Sequence, residues 1–204
     1  MDGQDEHCVE FWFDFASGYA YFGAHDLLNF AKRYSLRIVW RPFMLGSAFK
    51  VTGATGLSST PLKAEYAKHD WARLARLQNL PFTLHDEHPR ITLPAMRAFY
   101  WIERRSVEVA GHFALATLNA YFQDARDMGD LDAVVELGSN FGFQKDQIRR
   151  GVNDPEIKAL ARAKSEEAIA RGVFGSPFFF LEGEPFWGWD RIPLMEKWLV
   201  EEGW

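Results

Sequence analysis

Apolar and polar residues alternate with a period of two near both ends of the chain, whereas the middle has a helical period. Residues 8–15 form an apolar alternating run that predicts a first strand, and residues 35–40 predict a second strand that Pro42 ends. Residues 19–34 between them place apolar side chains on one side of a helix. Strand, helix and strand in this order predict a parallel unit with a right-handed crossover.

Helical periodicity dominates from about residue 47 to residue 172. Residues 51–60 are rich in Gly, Ser and Thr and predict a loop, and Thr60-Pro61 is typical of the start of a helix. Further helices are predicted at residues 94–105, 107–125, 131–141 and 155–171. The sequence has no repeat, linker or low-complexity segment, so this helical stretch is expected to pack on the strand unit.

The C-terminal part returns to strand-forming residues, and Pro177 directly precedes the apolar run at residues 178–181. A proline removes a donor from the sheet, so it belongs at the first residue of a strand or at an edge. An X-Pro bond also allows a cis peptide at little cost, and a cis turn would expose the backbone N–H and C=O of Ser176 to an extended, peptide-like ligand. A turn, a short strand and a closing helix follow at residues 182–184, 185–187 and 190–200.

The length and charge of the chain limit its possible functions. At 204 residues it fits one domain, or one domain with a large insertion. Its net charge of −5 gives no electrostatic reason for binding nucleic acid or an acidic membrane. No apolar run reaches the roughly 18 residues that a membrane span needs, and the acidic start Met1-Asp2-Gly3-Gln4-Asp5-Glu6 does not resemble a signal peptide. We therefore expect a cytoplasmic protein that binds neither nucleic acid nor membranes.

Sulfur chemistry within the chain is restricted because Cys8 is its only cysteine. One cysteine excludes an intrachain disulfide and a Cys-x-x-Cys redox pair. Ser17 lies in the turn between the first strand and the first helix. Serine there commonly caps the helix, but a hydroxyl at a helix N-terminus also lies where partial positive charge favours anions. Position alone leaves both interpretations open.

Five motifs, in this order and spacing, resemble one known family. They are Phe13-Asp14-Phe15-Ala16-Ser17, Arg41-Pro42-Phe43-Met44-Leu45-Gly46, Lys63-Ala64-Glu65-Tyr66-Ala67-Lys68-His69-Asp70-Trp71-Ala72-Arg73, Phe174-Gly175-Ser176-Pro177 and Phe186-Trp187-Gly188-Trp189-Asp190-Arg191. The family contains 2-hydroxychromene-2-carboxylate isomerases and kappa-class glutathione transferases and belongs to the DsbA-like thioredoxin superfamily. The resemblance covers nearly the whole chain. It implies an α/β, thioredoxin-like fold with a large all-helical insertion: a thioredoxin-like domain of residues 8–46 and 173–204, and an inserted helical domain of residues 47–172.

The resemblance also implies glutathione as the cofactor and assigns roles to particular residues. Ser17 Oγ would donate a hydrogen bond to the glutathione sulfur, and Lys63 would reach the glycine carboxylate. Ser176, before a cis Pro177, would pair its backbone with the cysteinyl unit. Asp190 and the adjoining backbone at Trp189 would hold the γ-glutamyl end.

This sequence departs from the family at several of these positions. Gly18 stands where relatives have proline, and we expect it to loosen the turn around Ser17. Relatives usually have an apolar residue at the position of Ser176 and Asn or Ser at that of Trp189. The family's loop asparagine has no counterpart in Leu57-Ser58-Ser59-Thr60. That contact is therefore either lost or made by a hydroxyl.

Two further groups of polar residues have ordinary explanations. Lys63, Tyr66, Asp70 and Arg73 share one helical stripe, which is typical of a solvated face with ion pairs; only Lys63 matches a residue with a family role. Similarly, Asp190 could simply cap the last helix. His85 and His88 lack a third ligand at helical spacing, so no metal site is predicted.

The function that the resemblance implies is a glutathione-dependent isomerase of the 2-hydroxychromene-2-carboxylate type, acting in aromatic catabolism as a homodimer. It would interconvert 2-hydroxychromene-2-carboxylate and trans-o-hydroxybenzylidenepyruvate. A kappa-class-like transferase or peroxidase with the same site is one alternative. A non-catalytic thioredoxin-like module that binds a partner at Ser176-Pro177 is another, and the joint presence of Ser17, Lys63 and Asp190 argues against it.

Overall fold

A computed structural model describes residues 7–204 of the chain. Residues 1–6, whose acidic sequence does not resemble a signal peptide, lie outside the described part. The strands are β1 (Cys8–Phe13), β2 (Arg37–Pro42), β3 (Phe178–Leu181) and β4 (Glu184–Trp187), in the sheet order β2-β1-β3-β4. β1 pairs with β2 in parallel, and β3 pairs antiparallel with both β1 and β4. The sheet therefore has a parallel half from the N-terminal part of the chain and an antiparallel half from the C-terminal part.

The helices lie between and after these strands. They are α1 (Gly18–Tyr34), α2 (Leu45–Thr52), α3 (Lys63–Gln78), α4 (Leu93–Glu103), α5 (Val107–Phe122), α6 (Leu131–Ser139), α7 (Lys145–Asn153), α8 (Pro155–Ala170) and α9 (Ile192–Val200). Short 3-10 helices span Leu57–Ser59 and Trp189–Arg191. The helices α2 to α8 all lie between β2 and β3, so the fold is the predicted α/β, thioredoxin-like arrangement with a helical insertion.

Two helices were not predicted, and one predicted boundary is wrong. α2 overlaps the start of the predicted loop, and only Ala48 of this short helix is buried. α7 is strongly polar and buries only Ile148, Gly151 and Val152. They are eight and nine residues long, shorter than the stretch over which a helical period is recognised. α3 begins at Lys63 and not at Thr60-Pro61, because Leu62 adopts a left-handed φ of 67°.

Aromatic side chains fill the space around the sheet. Phe11 in the central strand β1 stacks on Phe13 with ring centroids 4.5 Å apart, and on Phe179 of β3 at 5.3 Å. All three rings are fully buried. Because burial of one such side chain contributes about 1.5–3 kcal/mol, these rings help to hold the adjacent strands β1 and β3 together.

Two backbone features of the described residues bear on the site. The Ser176-Pro177 peptide is cis, which confirms the prediction. The His88-Pro89 peptide is also cis, and this was not predicted.

None of the helices within residues 7–204 has the length and apolar character that crossing a membrane requires.

Candidate active site

Ser17 joins the end of β1 to the start of α1 and uses its hydroxyl in two ways. As the cap of α1, Ser17 Oγ accepts a hydrogen bond from the Ala20 N–H at 3.3 Å. The same hydroxyl donates to the backbone carbonyl of Ser176 at 2.9 Å. The capping interpretation is therefore confirmed, and it leaves the hydroxyl proton directed at the residue before the cis proline.

Ser176 fastens the cis-proline turn to the strand-to-helix turn. Its Oγ accepts a hydrogen bond from the Asp14 N–H at 2.9 Å. On the other side of the turn, the Gly188 N–H donates to the Pro177 carbonyl at 3.1 Å. The Ser176 side chain thus closes a second bond between the two segments in addition to the one from Ser17.

Asp14 organises the floor of the site, and sequence reasoning missed it. Its side chain is buried, with 8% of its surface exposed. Oδ1 accepts hydrogen bonds from the Ala16 N–H at 2.9 Å and from the Thr92 hydroxyl at 3.3 Å, and Oδ2 accepts one from the Leu45 N–H at 2.9 Å. Burial raises the pKa of Asp14, although these hydrogen bonds oppose that shift. The carboxyl group therefore ties the starts of α1, α2 and α4 together.

Gly18 does not loosen the turn as expected, because the indole ring of Trp71 packs directly against it. A Cβ at position 18 would lie 2.5 Å from Trp71 Cε2, which no side chain tolerates without a shift. Trp71 is itself buried, with 3% of its surface exposed. Glycine is required here by the approach of α3, and the packing holds the turn in place.

Lys63 is the first residue of α3, and its side chain is exposed. It makes no ion pair or hydrogen bond with another side chain in residues 7–204. The rest of the predicted stripe behaves differently, because Asp70 pairs with Arg73 at 3.4 Å and accepts a hydrogen bond from the Tyr19 hydroxyl at 2.8 Å. Burial and the neighbouring Asp70 carboxylate raise the pKa of Tyr19 above its ordinary value. Lys63 is thus the member of the stripe that remains available to an anion.

Trp189 and Asp190 lie in the 3-10 helix that follows β4. The Trp189 indole donates to Asp26 Oδ2 at 2.5 Å, and Gln78 Nε2 donates to the same oxygen at 2.7 Å. Burial raises the pKa of Asp26. Asp190 is exposed and pairs with Arg191 at 3.1 Å. Asp190 is not the cap of α9, since that helix begins at Ile192 without a side-chain cap.

Beside these residues is an open pocket of about 360 Å³. Its polar lining is formed by Asp26, Asn29, Arg33, Trp189, Asp190 and Glu196. The structure thus brings Ser17, Ser176 and Pro177 together through direct hydrogen bonds, and connects Trp189 and Asp190 to them through Gly188. Lys63 makes no direct contact with this group among the described residues. It lies in the same helix, α3, as Trp71, which packs against Gly18 next to Ser17.

Comparison with known proteins identifies the family. A model of the DSBA-like thioredoxin domain matches residues 8–200. The chain belongs to the DSBA-like thioredoxin family.

Two curated relatives carry the names that the motifs indicated. The chain is similar to a 2-hydroxychromene-2-carboxylate isomerase of Sphingobium xenophagum, with 27% identity over 203 residues, covering 95% of this chain and 98% of the relative. It is also similar to glutathione S-transferase kappa 2 of Caenorhabditis elegans, with 22% identity over 206 residues, covering 95% and 92%. These relatives confirm the resemblance inferred from the motifs.

A solved structure of a 2-hydroxychromene-2-carboxylate isomerase shares the fold of this DSBA-like chain. The two superpose with a TM-score of 0.84 at 24% identity, covering 95% of each chain. This agreement over nearly the whole length confirms the predicted fold class, including the helices between β2 and β3.

Proposed function

We propose that this protein is a glutathione-dependent cis-trans isomerase of the 2-hydroxychromene-2-carboxylate isomerase type. The observation that carries the proposal is the Ser17 hydroxyl, which caps α1 and donates its proton at 2.9 Å towards the carbonyl before the cis proline. The names of the relatives support an isomerase, and the kappa-class relative supports glutathione as the cofactor.

The residues of the site fit a tripeptide thiol. The unpaired Lys63 ammonium suits a carboxylate, because an ammonium on a long stem can follow the ligand. The cis Ser176-Pro177 turn suits an extended peptide backbone, and Asp190 suits an ammonium group. Cys8, the only cysteine, lies at the opposite end of β1 from Ser17, so a thiol that reacts beside Ser17 must come from a ligand. Ser17, Lys63, Ser176, Pro177, Trp189 and Asp190 would form the binding site.

The Ser17 hydroxyl can supply the energy needed to activate such a thiol if its single proton turns from the Ser176 carbonyl to the sulfur when the ligand binds. Lowering a thiol pKa from about 8.5 to about 6.5 requires roughly 2.7 kcal/mol of preference for the thiolate. One hydrogen bond to a charged group contributes about 1.5–3 kcal/mol, and the N-terminus of α1 adds about 0.3–1 kcal/mol. The bond given up at the Ser176 carbonyl costs about 0.5–1.5 kcal/mol, so the upper part of these ranges meets the requirement without a general base.

When bound, glutathione would supply a thiolate nucleophile for reversible addition to a conjugated carbon, which is the chemistry that allows a double bond to isomerise. Ser17 would hold the sulfur as thiolate. Lys63 and Asp190 would keep the tripeptide fixed while the substrate rotates about the former double bond. Dividing one steep barrier into smaller ones is the advantage of such covalent catalysis. By the family resemblance, we place this enzyme in aromatic catabolism, in the cytoplasm and as a homodimer.

A kappa-class-like glutathione transferase is the second candidate, and the Caenorhabditis elegans relative favours it. The two functions differ in the fate of the thiol, because an isomerase regenerates free glutathione whereas a transferase consumes it.

The test follows 2-hydroxychromene-2-carboxylate with and without reduced glutathione and measures the free thiol at the end. We expect isomerisation that depends on glutathione and a thiol concentration that does not change. Loss of thiol in proportion to product would establish the transferase instead. No binding of glutathione in a calorimetric titration would contradict both functions and favour a partner-binding module.

A further inference from the structure

The side chain of Ser176 has an unused hydroxyl proton beside Ser17. Its oxygen accepts a hydrogen bond from the Asp14 N–H at 2.9 Å, which fixes the position of that oxygen. Its proton has no acceptor among residues 7–204. The residue is half-buried, so part of its surface remains open to a ligand. A serine oxygen has two lone pairs and one proton, so Ser176 can donate to a new acceptor and keep its bond to Asp14.

The two hydroxyl groups of the site differ in what they must give up to bind a ligand. Ser17 Oγ donates its single proton to the Ser176 carbonyl at 2.9 Å, so that bond breaks when the proton turns to a ligand. The Ser176 hydroxyl breaks no bond with the described residues when it donates. A second donor of this kind would therefore stabilise a thiolate without the loss that Ser17 incurs.

The backbone of Ser176 determines where its side chain would lie relative to an extended peptide. Its N–H has no acceptor among residues 7–204, so it is available to pair with a ligand. In an antiparallel pair, the side chains of directly opposite residues lie on the same face, with Cβ atoms about 4.5–5.5 Å apart. In the proposed function the residue opposite Ser176 is the cysteinyl unit of glutathione. Its sulfur would then lie on the same face as the Ser176 hydroxyl, within reach of a hydrogen bond.

We propose that Ser176 is a further catalytic residue, whose hydroxyl donates a second hydrogen bond to the glutathione sulfur alongside Ser17. The inference rests on the proposed function, which supplies the thiol and its pairing with the backbone of Ser176. Two donors on one sulfur favour the thiolate over the thiol, because hydrogen bonds to a charged acceptor are the stronger ones. The thiol proton leaves to solvent, and neither serine changes its protonation state.

The test measures the pKa of bound glutathione from the ultraviolet absorbance of its thiolate. Ser176→Ala should raise this pKa by roughly one to two units, as expected from the loss of one hydrogen bond to a charged acceptor. Ser176→Thr keeps a hydroxyl on the same carbon, so its thiol pKa should stay within about half a unit of wild type. S-methylglutathione cannot form a thiolate, and its affinity should change less than about twofold in either variant.

A double variant separates a donor from a residue that only positions Ser17. Because Ser17 donates to the Ser176 carbonyl, a shift of the turn would act through the Ser17 hydroxyl. A donor acts independently, so Ser176→Ala should raise the thiol pKa again, by about one unit or more, when it is added to Ser17→Ala. No further rise in that background would overturn the proposal.

Ser165→Ala is the matched control. Ser165 Oγ also accepts from a backbone N–H, that of Met44 at 3.1 Å, but its own proton is donated to the Ala161 carbonyl at 3.3 Å. The variant should lower the free energy of unfolding, because the Met44 N–H loses its acceptor, and should leave the thiol pKa unchanged. An equal rise of the thiol pKa in Ser165→Ala and Ser176→Ala would overturn the proposal, since it would reflect a general loosening of the fold.

Two further outcomes distinguish this proposal from the proposed function. If wild type binds glutathione as thiolate and Ser176→Ala shows the same thiol pKa, the second donor is refuted and the proposed function stands. Absence of glutathione binding to wild type would overturn both.

Discussion

The two sides of the candidate site differ in how firmly they are held. On the sulfur side, Ser17, Ser176 and Asp14 are joined by hydrogen bonds between segments that lie far apart in the chain. On the charged side, the Lys63 side chain is unpaired in the part of the chain that the structure describes, and the Asp190 carboxylate pairs only with the adjacent Arg191. One side is preformed, whereas the other would be completed by the proposed ligand.

This difference has an energetic basis. A buried donor or acceptor that loses its partner costs about 1–3 kcal/mol, so the buried side is expensive to disturb. An exposed ion pair contributes only about 0–1 kcal/mol, so the charged side adds little to folding. Changes on the sulfur side should therefore affect stability or chemistry, and changes on the charged side should affect affinity alone.

The largest effect is expected from Asp14→Ala. It leaves the Ala16 and Leu45 N–H groups without their acceptor, which should lower the free energy of unfolding by about 3 kcal/mol or more. Urea unfolding followed by circular dichroism measures this loss. Asp86→Ala is the control, because Asp86 is an exposed aspartate in a loop. If both variants lost equally little stability, the side chain of Asp14 would not hold the site together.

Ser17→Ala should leave the fold in place and act on the thiol. The variant loses about 1.5–3 kcal/mol of thiolate stabilisation, so the pKa of bound glutathione should rise by roughly one to two units and turnover at neutral pH should fall. Ultraviolet absorbance of the thiolate, titrated in both proteins, measures the shift. An unchanged thiol pKa together with an unchanged rate would reduce Ser17 to a helix cap.

The contrast between the two sides also explains what the sequence could predict. The Ser17 turn follows from a local signal, namely an alternating strand that stops at a turn. The cis Ser176-Pro177 peptide was implied by the family resemblance, because a proline before an apolar run only allows it. Asp14 carried no such signal, because its partners at Leu45 and Thr92 are brought to it only by the folded helices.

Gly18 illustrates the same limit in a single residue. The effect of glycine at this position depends on its packing against Trp71, which is distant in sequence. Local reasoning about glycine flexibility therefore gave the wrong expectation. Helices α2 and α7 were missed for a related reason, since helices of eight and nine residues depend on tertiary contacts for their stability.

Gly18→Ala sets two effects of opposite sign against each other. Alanine in a helix gains roughly 0.5–1 kcal/mol over glycine, but a Cβ 2.5 Å from the Trp71 ring forces a shift that typically costs about 1–3 kcal/mol. We expect the clash to dominate and the variant to unfold at lower urea concentration. In a Trp71→Ala background the ring is absent, so Gly18→Ala should instead stabilise slightly. A stabilising effect in both backgrounds would contradict the role of Trp71 in fixing the turn.

The smallest effect, and the one that isolates the charged side, is expected from Lys63→Ala. Its ammonium is exposed and unpaired in the described part of the chain, so the free energy of unfolding should change by less than about 0.5 kcal/mol. Affinity for glutathione should fall about three- to tenfold at low salt, because one charge contact disappears. Added salt should narrow this gap in affinity, since exposed charges are screened within about 10 Å at 0.1 M.

Lys68→Ala is the matched control in α3, where Lys68 pairs with Glu65 at 3.1 Å. A loss of affinity shared by both variants would mean that the net charge of the helix attracts the ligand and that Lys63 has no particular place in the site.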